Sequence, residues 1–306
     1  MSNFIKSHLK LNKLLCLDKY FNFLVDVHKL GNFPKCLLVS GEQGIGKLTL
    51  ISHFLSLIKN KENYDFKNKK LINNKKITDN FLEINNIISL DGSDKKINID
   101  LIRNLRLDLS KSSFSSQDRY IIINNIELLN HNCLNALLKI VEEPTKKNYF
   151  IFIHNRNKEL LKTIRSRSIE LKIFLSNSDR HYVIENLLEA FSMTNFLPLK
   201  YNLSPGKHIL YNGICEELEI SFNDRLSKNI IKLLGFFKKD KNLDILKFLV
   251  FLTNQYFIDT QKNKNYSYFQ LDDMRKKIIA KSNEFYNNNI SYDTFFNALK
   301  VRFNDK

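Results

Sequence analysis

Gly41-Glu42-Gln43-Gly44-Ile45-Gly46-Lys47 has the GxxxxGK spacing of a loop that cradles phosphate. In such a loop glycines let the backbone curl until its N–H groups face phosphate oxygens. A following helix N-terminus adds potential favourable to an anion, and a lysine placed as Lys47 meets the β- and γ-phosphates. The chain has 8 glycines, and Gly41, Gly44 and Gly46 fall within these few positions, so the loop is a concentrated feature. The next position ordinarily carries a Ser or Thr hydroxyl that holds Mg²⁺. Here it is Leu48. Thr49 is the nearest hydroxyl, but one step along a helix turns a side chain by about 100°. It belongs with the degenerate nucleotide-binding set and is not expected to replace the missing group.

A second requirement of hydrolysis is an apolar strand ending in acids, one for the metal and one to activate water. The run Tyr120-Ile121-Ile122-Ile123 ends instead in Asn124-Asn125. An amide hydrogen-bonds but carries no charge and does not serve as a base. Glu127 lies two residues past the expected position. Hydroxyl, metal carboxylate and base are therefore missing together, and each loss costs orders of magnitude in rate. The expectation is ATP or ADP binding without hydrolysis, with no required cofactor and no metal.

The elements that must position these residues are legible. Phe21, Leu24, Val25 and His28 repeat at helical spacing until Gly31 and Pro34. Cys36 to Ser40 reads as a buried strand, and Leu50, Ile51, Phe54, Leu55 and Ile58 as a helix after the loop. Residues 59–80 are mostly Lys and Asn and read as a solvated insertion. Strands are expected at Ile87 to Leu90, Tyr120 to Asn124 and Tyr149 to Ile153. Helices are expected at Ile97 to Leu109 and from Asn132 to Glu143, the latter stopped by Pro144, with a polar loop from Ser110 to Asp118. Alternating strands and helices imply a parallel sheet covered on both faces. Beyond Ile173 only helices are expected: one with Val183, Ile184, Leu187, Leu188 and Phe191 on a face, then stretches near 216–237, 242–258, 269–287 and 291–303, the last with Phe295, Leu299 and Phe303 in register. Pro205-Gly206 and Gly213 punctuate that half and suggest a lid over 173–214 and a larger helical domain over 215–306.

The 306 residues carry a net charge of +16, which favours a polyanionic partner. A bias toward Lys, Asn, Ile, Phe and Tyr, residues an AT-rich genome favours, explains part of it equally well. Cys16, Cys36, Cys133 and Cys215 are scattered with no CxxC, so reduced thiols in a cytoplasmic protein are expected, and no zinc. The run Ile245 to Ile258 is too short for a membrane span and contains Lys247, and the segment from Met1 to Leu17 does not read as a signal peptide.

The segment from Asn135 to Pro144, NALLKIVEEP, resembles the NALLKxLEEP segment of the AAA+ clamp-loader subunits of bacterial DNA polymerase III. The segment from Lys162 to Ser168, KTIRSRS, resembles the one ending in their Ser-Arg-Cys motif. With the loop and the apolar strand, in this order, the likeness covers about residues 10–172. It implies an AAA+ P-loop NTPase domain over 1–172 followed by a small helical lid and an all-helical collar domain that makes a hetero-oligomer. The degenerate nucleotide motifs resemble the delta-prime branch rather than the hydrolysing gamma/tau subunits. The resemblance implies that Arg167 acts in trans as an arginine finger in a neighbour's ATP site, where a guanidinium stabilises charge developing on the γ-phosphate. Arg165 is a second contact or merely solvated. His154 stands where the family has a polar sensor residue, or is a solvated loop histidine, and Ser204-Pro205-Gly206-Lys207 resembles the start of the family's lid helix. Implied partners are gamma/tau and delta subunits, the sliding clamp and primed DNA. Ser168 replaces the family's cysteine, and the zinc module many relatives carry is missing from the Lys/Asn stretch. Two other readings remain: an active ATPase in which Thr49 and Glu127 stand in for the lost groups, and a DNA-binding module with a relic P-loop.

Overall fold

The computed structural model describes residues 12–59, 61–72, 86–94, 97–110, 118–142, 147–262, 272–273 and 275–280. The loop at 111–117, Glu143 and Pro144, the helix expected at 291–303 and most of that expected at 269–287 lie outside the described residues. In chain order come α1 (Asp18–Lys29), β1 (Cys36–Ser40), α2 (Lys47–Lys59), β2 (Tyr64–Asp65), β3 (Lys70–Leu71), β4 (Ile87–Asp91), α3 (Ile99–Ser110), β5 (Arg119–Asn124), α4 (His131–Glu142), β6 (Asn148–His154), α5 (Lys162–Ser166), β7 (Ile169–Lys172), α6 (Asn177–Ala190), α7 (Pro205–Glu217), α8 (Leu226–Asp240) and α9 (Leu243–Lys262). They fall into two compact units, one of Leu9–Phe191 with Ser204–Lys207, the other containing Ser192–Leu203 and His208–Lys306. The segment 173–191 thus groups with the sheet.

The first unit is built on a five-stranded parallel sheet in the order β4-β5-β6-β1-β7. Parallel strands covered on both faces read as unbroken apolar runs, and all five residues of β1 and the run Ile121 to Ile123 are buried. Successive side chains still alternate between faces. Leu37, Val39, Ile122, Ile151 and Ile153 join one core with Phe21 and Leu24 of α1 and Leu50, Ile51 and Phe54 of α2. Cys36, Leu38, Ile121, Ile123, Phe150 and Phe152 join another with Ile102 and Leu105 of α3 and Leu134, Leu137 and Val141 of α4. One sheet therefore separates two cores, as its sequence pattern requires.

The Lys/Asn stretch is not wholly a solvated insertion. Tyr64 and Leu71 are buried and pair across the two-residue strands β2 and β3. The Tyr64 hydroxyl lies 3.1 Å from Nδ1 of buried His53, and its ring stacks on Phe21. These two apolar residues anchor the described part of the run, because burying each large side chain contributes about 1.5–3 kcal/mol. Two further elements went unread, the short helix α5 and the strand β7.

In the second unit Ile230, Leu233, Leu234 and Phe237 of α8 pack with Ile245, Phe248, Leu249 and Leu252 of α9. Pro205, Gly206 and Gly213 do not break the chain; all three lie within α7. Proline suits a first helical turn, where its missing N–H has no partner to lose. Fully buried Asn212 of α7 pins the preceding segment: its Oδ1 accepts from the N–H groups of Phe196 (2.7 Å) and Leu197 (3.1 Å), and its Nδ2 donates to the Thr194 carbonyl (2.8 Å). After Ile173 only helices and turns occur among the described residues. Among them no helix is long and apolar enough to cross a membrane. Cys36, Cys133 and Cys215 are buried free thiols and Cys16 is partly exposed.

Candidate functional site

The carboxyl ends of the strands gather the residues singled out above. Ser40 of β1 is in register with His154 of β6 and Lys172 of β7, and Asp91 of β4 with Asn124 of β5. In open parallel sheets ligands bind at such an edge. The phosphate-type loop leaves β1 there and enters α2 at Lys47.

Lys47 is almost completely buried, and its ammonium donates to the carbonyls of Gly41 (2.9 Å) and Glu42 (2.6 Å). Burial lowers its pKa to about 7, with nearby Arg156 and Lys207 adding to the shift and Glu127 and Glu42 opposing it. An exposed lysine titrates near 10.4. Between those values the unfolded chain holds a proton that the folded chain has released, so stability falls as pH drops from about 10 through 7. We expect Lys47→Met to flatten this slope. The variant should gain about 1 kcal/mol or more over the parent at pH 7, an advantage that fades by pH 10. Urea titrations across that pH range would measure it, and parallel pH profiles for the two proteins would refute it.

A second segment closes on the loop. The Ser204 hydroxyl donates to the Gln43 carbonyl (2.6 Å), and the Gly206 N–H donates to the Gly44 carbonyl (2.8 Å). Glu42 pairs with Arg180 (2.9 Å) and more loosely with Lys207 (3.8 Å). Arg180 is placed by a capping box at the start of α6, in which Ser176 Oγ accepts from the Asp179 N–H and the Asp179 carboxylate reaches back to the Ser176 N–H. Gly44 (φ +87°) and Gly46 (φ +91°) adopt left-handed backbone that favours glycine.

At the end of β5 the two amides are already engaged. Asn124 Nδ2 donates to Asp91 Oδ2 (2.7 Å), and Asn125 Nδ2 donates to Asp91 Oδ1 (2.8 Å). Ser93 adds its N–H (2.9 Å) and hydroxyl (2.6 Å) to the same carboxylate. Burial alone would raise the Asp91 pKa, but these donors outweigh it and hold the carboxyl below its ordinary range. Asn125 Oδ1 accepts in turn from Asn155 Nδ2 (2.5 Å).

Glu127 sits in a buried turn after β5, where Oε1 accepts from the N–H groups of Asn155 (3.1 Å) and Asn157 (3.4 Å) and Oε2 is buried without a hydrogen bond. His154 is not a solvated loop histidine. It is buried at the end of β6, with Nε2 3.0 Å from the Lys158 carbonyl. Leu48 packs against the apolar core, and Thr49 follows it on α2. The chemistry of these groups fits a polyphosphate at the loop, through Lys47 with Arg156 and Lys207 nearby. It does not fit Mg²⁺: Leu48 is apolar, and the amides at 124 and 125 direct their N–H groups to Asp91.

Arg167 lies apart from this cluster, directly after α5. Its Nη2 meets Glu142 Oε1 at 2.7 Å, its Nη1 donates to the Thr163 carbonyl (3.2 Å), and its side chain is 38% exposed. Sequence reasoning missed the roles of Asp91, Asn155 and Arg180. Asp91 ends a short apolar run, which is a signal, but its two amide partners follow only from strand pairing.

The sheet order, the loop between β1 and α2, and the helical segment folding back onto that loop define an AAA+ P-loop domain. The family model described as "DNA polymerase III, delta subunit" matches residues 17–175, and the chain belongs to that family. It is 27% identical over 247 residues to a DNA polymerase III subunit delta' of Buchnera aphidicola subsp. Baizongia pistaciae, covering 74% of this chain and 73% of that protein. It is 29% identical over 150 residues to a subunit of the same description from subsp. Schizaphis graminum, covering 47% of this chain and 43% of that protein. Among solved structures, a DNA polymerase III gamma-subunit-related protein of Thermotoga maritima aligns with a TM-score of 0.49 at 15% identity, over 91% of this chain and 97% of that one.

Proposed function

We propose that the chain is a non-hydrolysing clamp-loader subunit of DNA polymerase III that supplies Arg167 to the ATP site of a neighbouring subunit. The reading rests above all on the two amides at the end of β5, which stand where hydrolysis needs acids and spend their N–H groups on Asp91. A P-loop that retains Lys47 while lacking metal ligands suits nucleotide binding without turnover. A partly exposed guanidinium just after a short helix suits delivery in trans. The partners are gamma/tau and delta subunits, assembled through the helical collar, with the sliding clamp and primed DNA as the objects of the work, in the cytoplasm. The net charge of +16 favours proximity to DNA.

The test is clamp- and DNA-stimulated ATPase of a loader rebuilt with cognate subunits. Arg167→Ala should lower the rate tenfold or more with assembly intact. An unchanged rate would remove Arg167 from the neighbour's site. A second reading, an ATPase using Glu127, draws on the unpartnered Oε2 of that carboxylate. Steady ATP turnover by the isolated chain, abolished by Glu127→Gln, would favour it.

A further inference from the structure

The NALLKIVEEP segment carries one feature that the proposed function leaves unused, the carboxylate of Glu142. Glu142 ends α4, and Arg167 follows α5, so their ion pair joins two elements that are separate in sequence. Both backbones are firmly seated. Val141, next to Glu142, and Ile164 of α5 are buried in the same core as Cys36 of β1. Ser168, next to Arg167, donates its hydroxyl to the Ile164 carbonyl (2.8 Å) and lies 3.1 Å from Cys36 Sγ. The core thus sets the separation of the two side chains, and the pair is not a chance meeting of long surface groups.

The contacts also leave a particular edge of the guanidinium free. Glu142 takes Nη2, while the Thr163 carbonyl (3.2 Å) and the Ser166 hydroxyl (3.4 Å) both engage Nη1. Among the described residues none bonds Nε. A guanidinium has five donors in a rigid fork. With Nη1 engaged twice and Nη2 paired with Glu142, Nε–H remains for a phosphate contact.

We infer that Glu142 is a positioning residue for Arg167: it fixes the guanidinium plane so that the free edge is presented to a phosphoryl group outside the chain. The inference rests on the proposed role of Arg167 in trans. Preorganisation of this kind acts where the interaction forms in the transition state, so it belongs in kcat and not in KM. The pair is partly exposed, with Glu142 at 46%, so a moderate effect is expected.

The experiment uses the rebuilt loader with clamp and primed DNA, and compares Glu142→Ala, Glu142→Gln, Arg167→Ala and the double variant. Glu142→Ala should lower kcat about three- to tenfold with KM and assembly unchanged. Glu142→Gln keeps an acceptor oxygen and should recover most of that loss. In the Arg167→Ala background, Glu142→Ala should cost nothing further, because the side chain it orients is gone. A full loss from Glu142→Ala in that background would show a structural role and overturn the inference. A rise in kcat would overturn it as well, making Glu142 a restraint. If Arg167→Ala is costly while Glu142→Ala is silent, the positioning role fails and the finger stands. If Arg167→Ala is silent, both fall.

Discussion

Gly44→Ala is expected to destabilise the sheet-bearing unit by about 3 kcal/mol, with Gly206→Ala close behind. Gly44 has φ +87°, a conformation that costs an L-residue roughly 1–2 kcal/mol. A Cβ there would also lie 2.8 Å from the Ser204 hydroxyl, 3.0 Å from the Lys207 nitrogen and 3.2 Å from the Gly206 Cα. At Gly206 the added carbon would meet the Gly44 Cα at 2.9 Å and its carbonyl oxygen at 3.0 Å. Apart from the Ser204 hydroxyl, which can rotate, the atoms met are backbone and cannot swing away, and overpacking of this kind costs about 1–3 kcal/mol. The two substitutions strain one contact. Once either has parted the loop from the segment Ser204–Lys207, the other finds room. The double variant should therefore lose clearly less than the sum of the singles. Urea unfolding followed by circular dichroism, with unchanged slope, would measure it. Strict additivity would mean that the glycines matter separately and not as a joint.

Returning an acid to the end of β5 should harm the protein rather than repair it. Asn124→Asp would place a second carboxylate in the position from which the amide now donates to Asp91 at 2.7 Å. Two carboxylates at that range cannot both ionise without strong repulsion, so the pair keeps a proton with a raised apparent pKa. We expect a loss of about 2–4 kcal/mol at pH 7, the size associated with leaving a buried charge unmatched. A raised folded pKa means that stability is retained at low pH and lost as pH rises through that value. The deficit relative to the parent should therefore shrink as pH falls below about 5. In the parent the dependence has the opposite sign. The depressed Asp91 carboxyl contributes stability that is lost as pH falls through its folded value. Adding Asp91→Asn to Asn124→Asp should restore most of the loss at pH 7. A stable Asn124→Asp protein at neutral pH would refute the idea that the amides are there to serve Asp91.

Most of the sheet was legible because its strands are unbroken apolar runs, as with Cys36 to Ser40 and Ile121 to Ile123. The loop was legible because glycine and lysine at fixed offsets leave few alternatives. What escaped was decided at a distance. The strand β7 reads Ile-Glu-Leu-Lys, half-exposed at the sheet edge, and pairs only with β1. Tyr64 and Leu71 lie in a polar stretch and take their places only in the fold, Tyr64 against the ring of His53 and Leu71 opposite Tyr64. Asp91 has only Ser93 as a partner in its own neighbourhood, and Asn124 and Asn125 come beside it only when β4 and β5 align. The ion pair of Glu142 with Arg167 was hidden in the same way, although both residues sat in segments already marked.

The position of β1 inside the sheet also sets a timetable for the chain's birth. Both of its neighbours come much later: Cys36 meets Ser168, its contact beyond the end of α5, across 132 residues. At a ribosomal rate of about 5–20 residues per second, that separation is a wait of roughly 7–26 s. Until β6 follows, the apolar strand Cys36 to Ser40 has been made but neither edge can be hydrogen-bonded as in the finished sheet, and one edge stays open until β7 follows. A nascent chain stalled before β6 should thus present a sticky segment to chaperones, whereas one released after β7 should not.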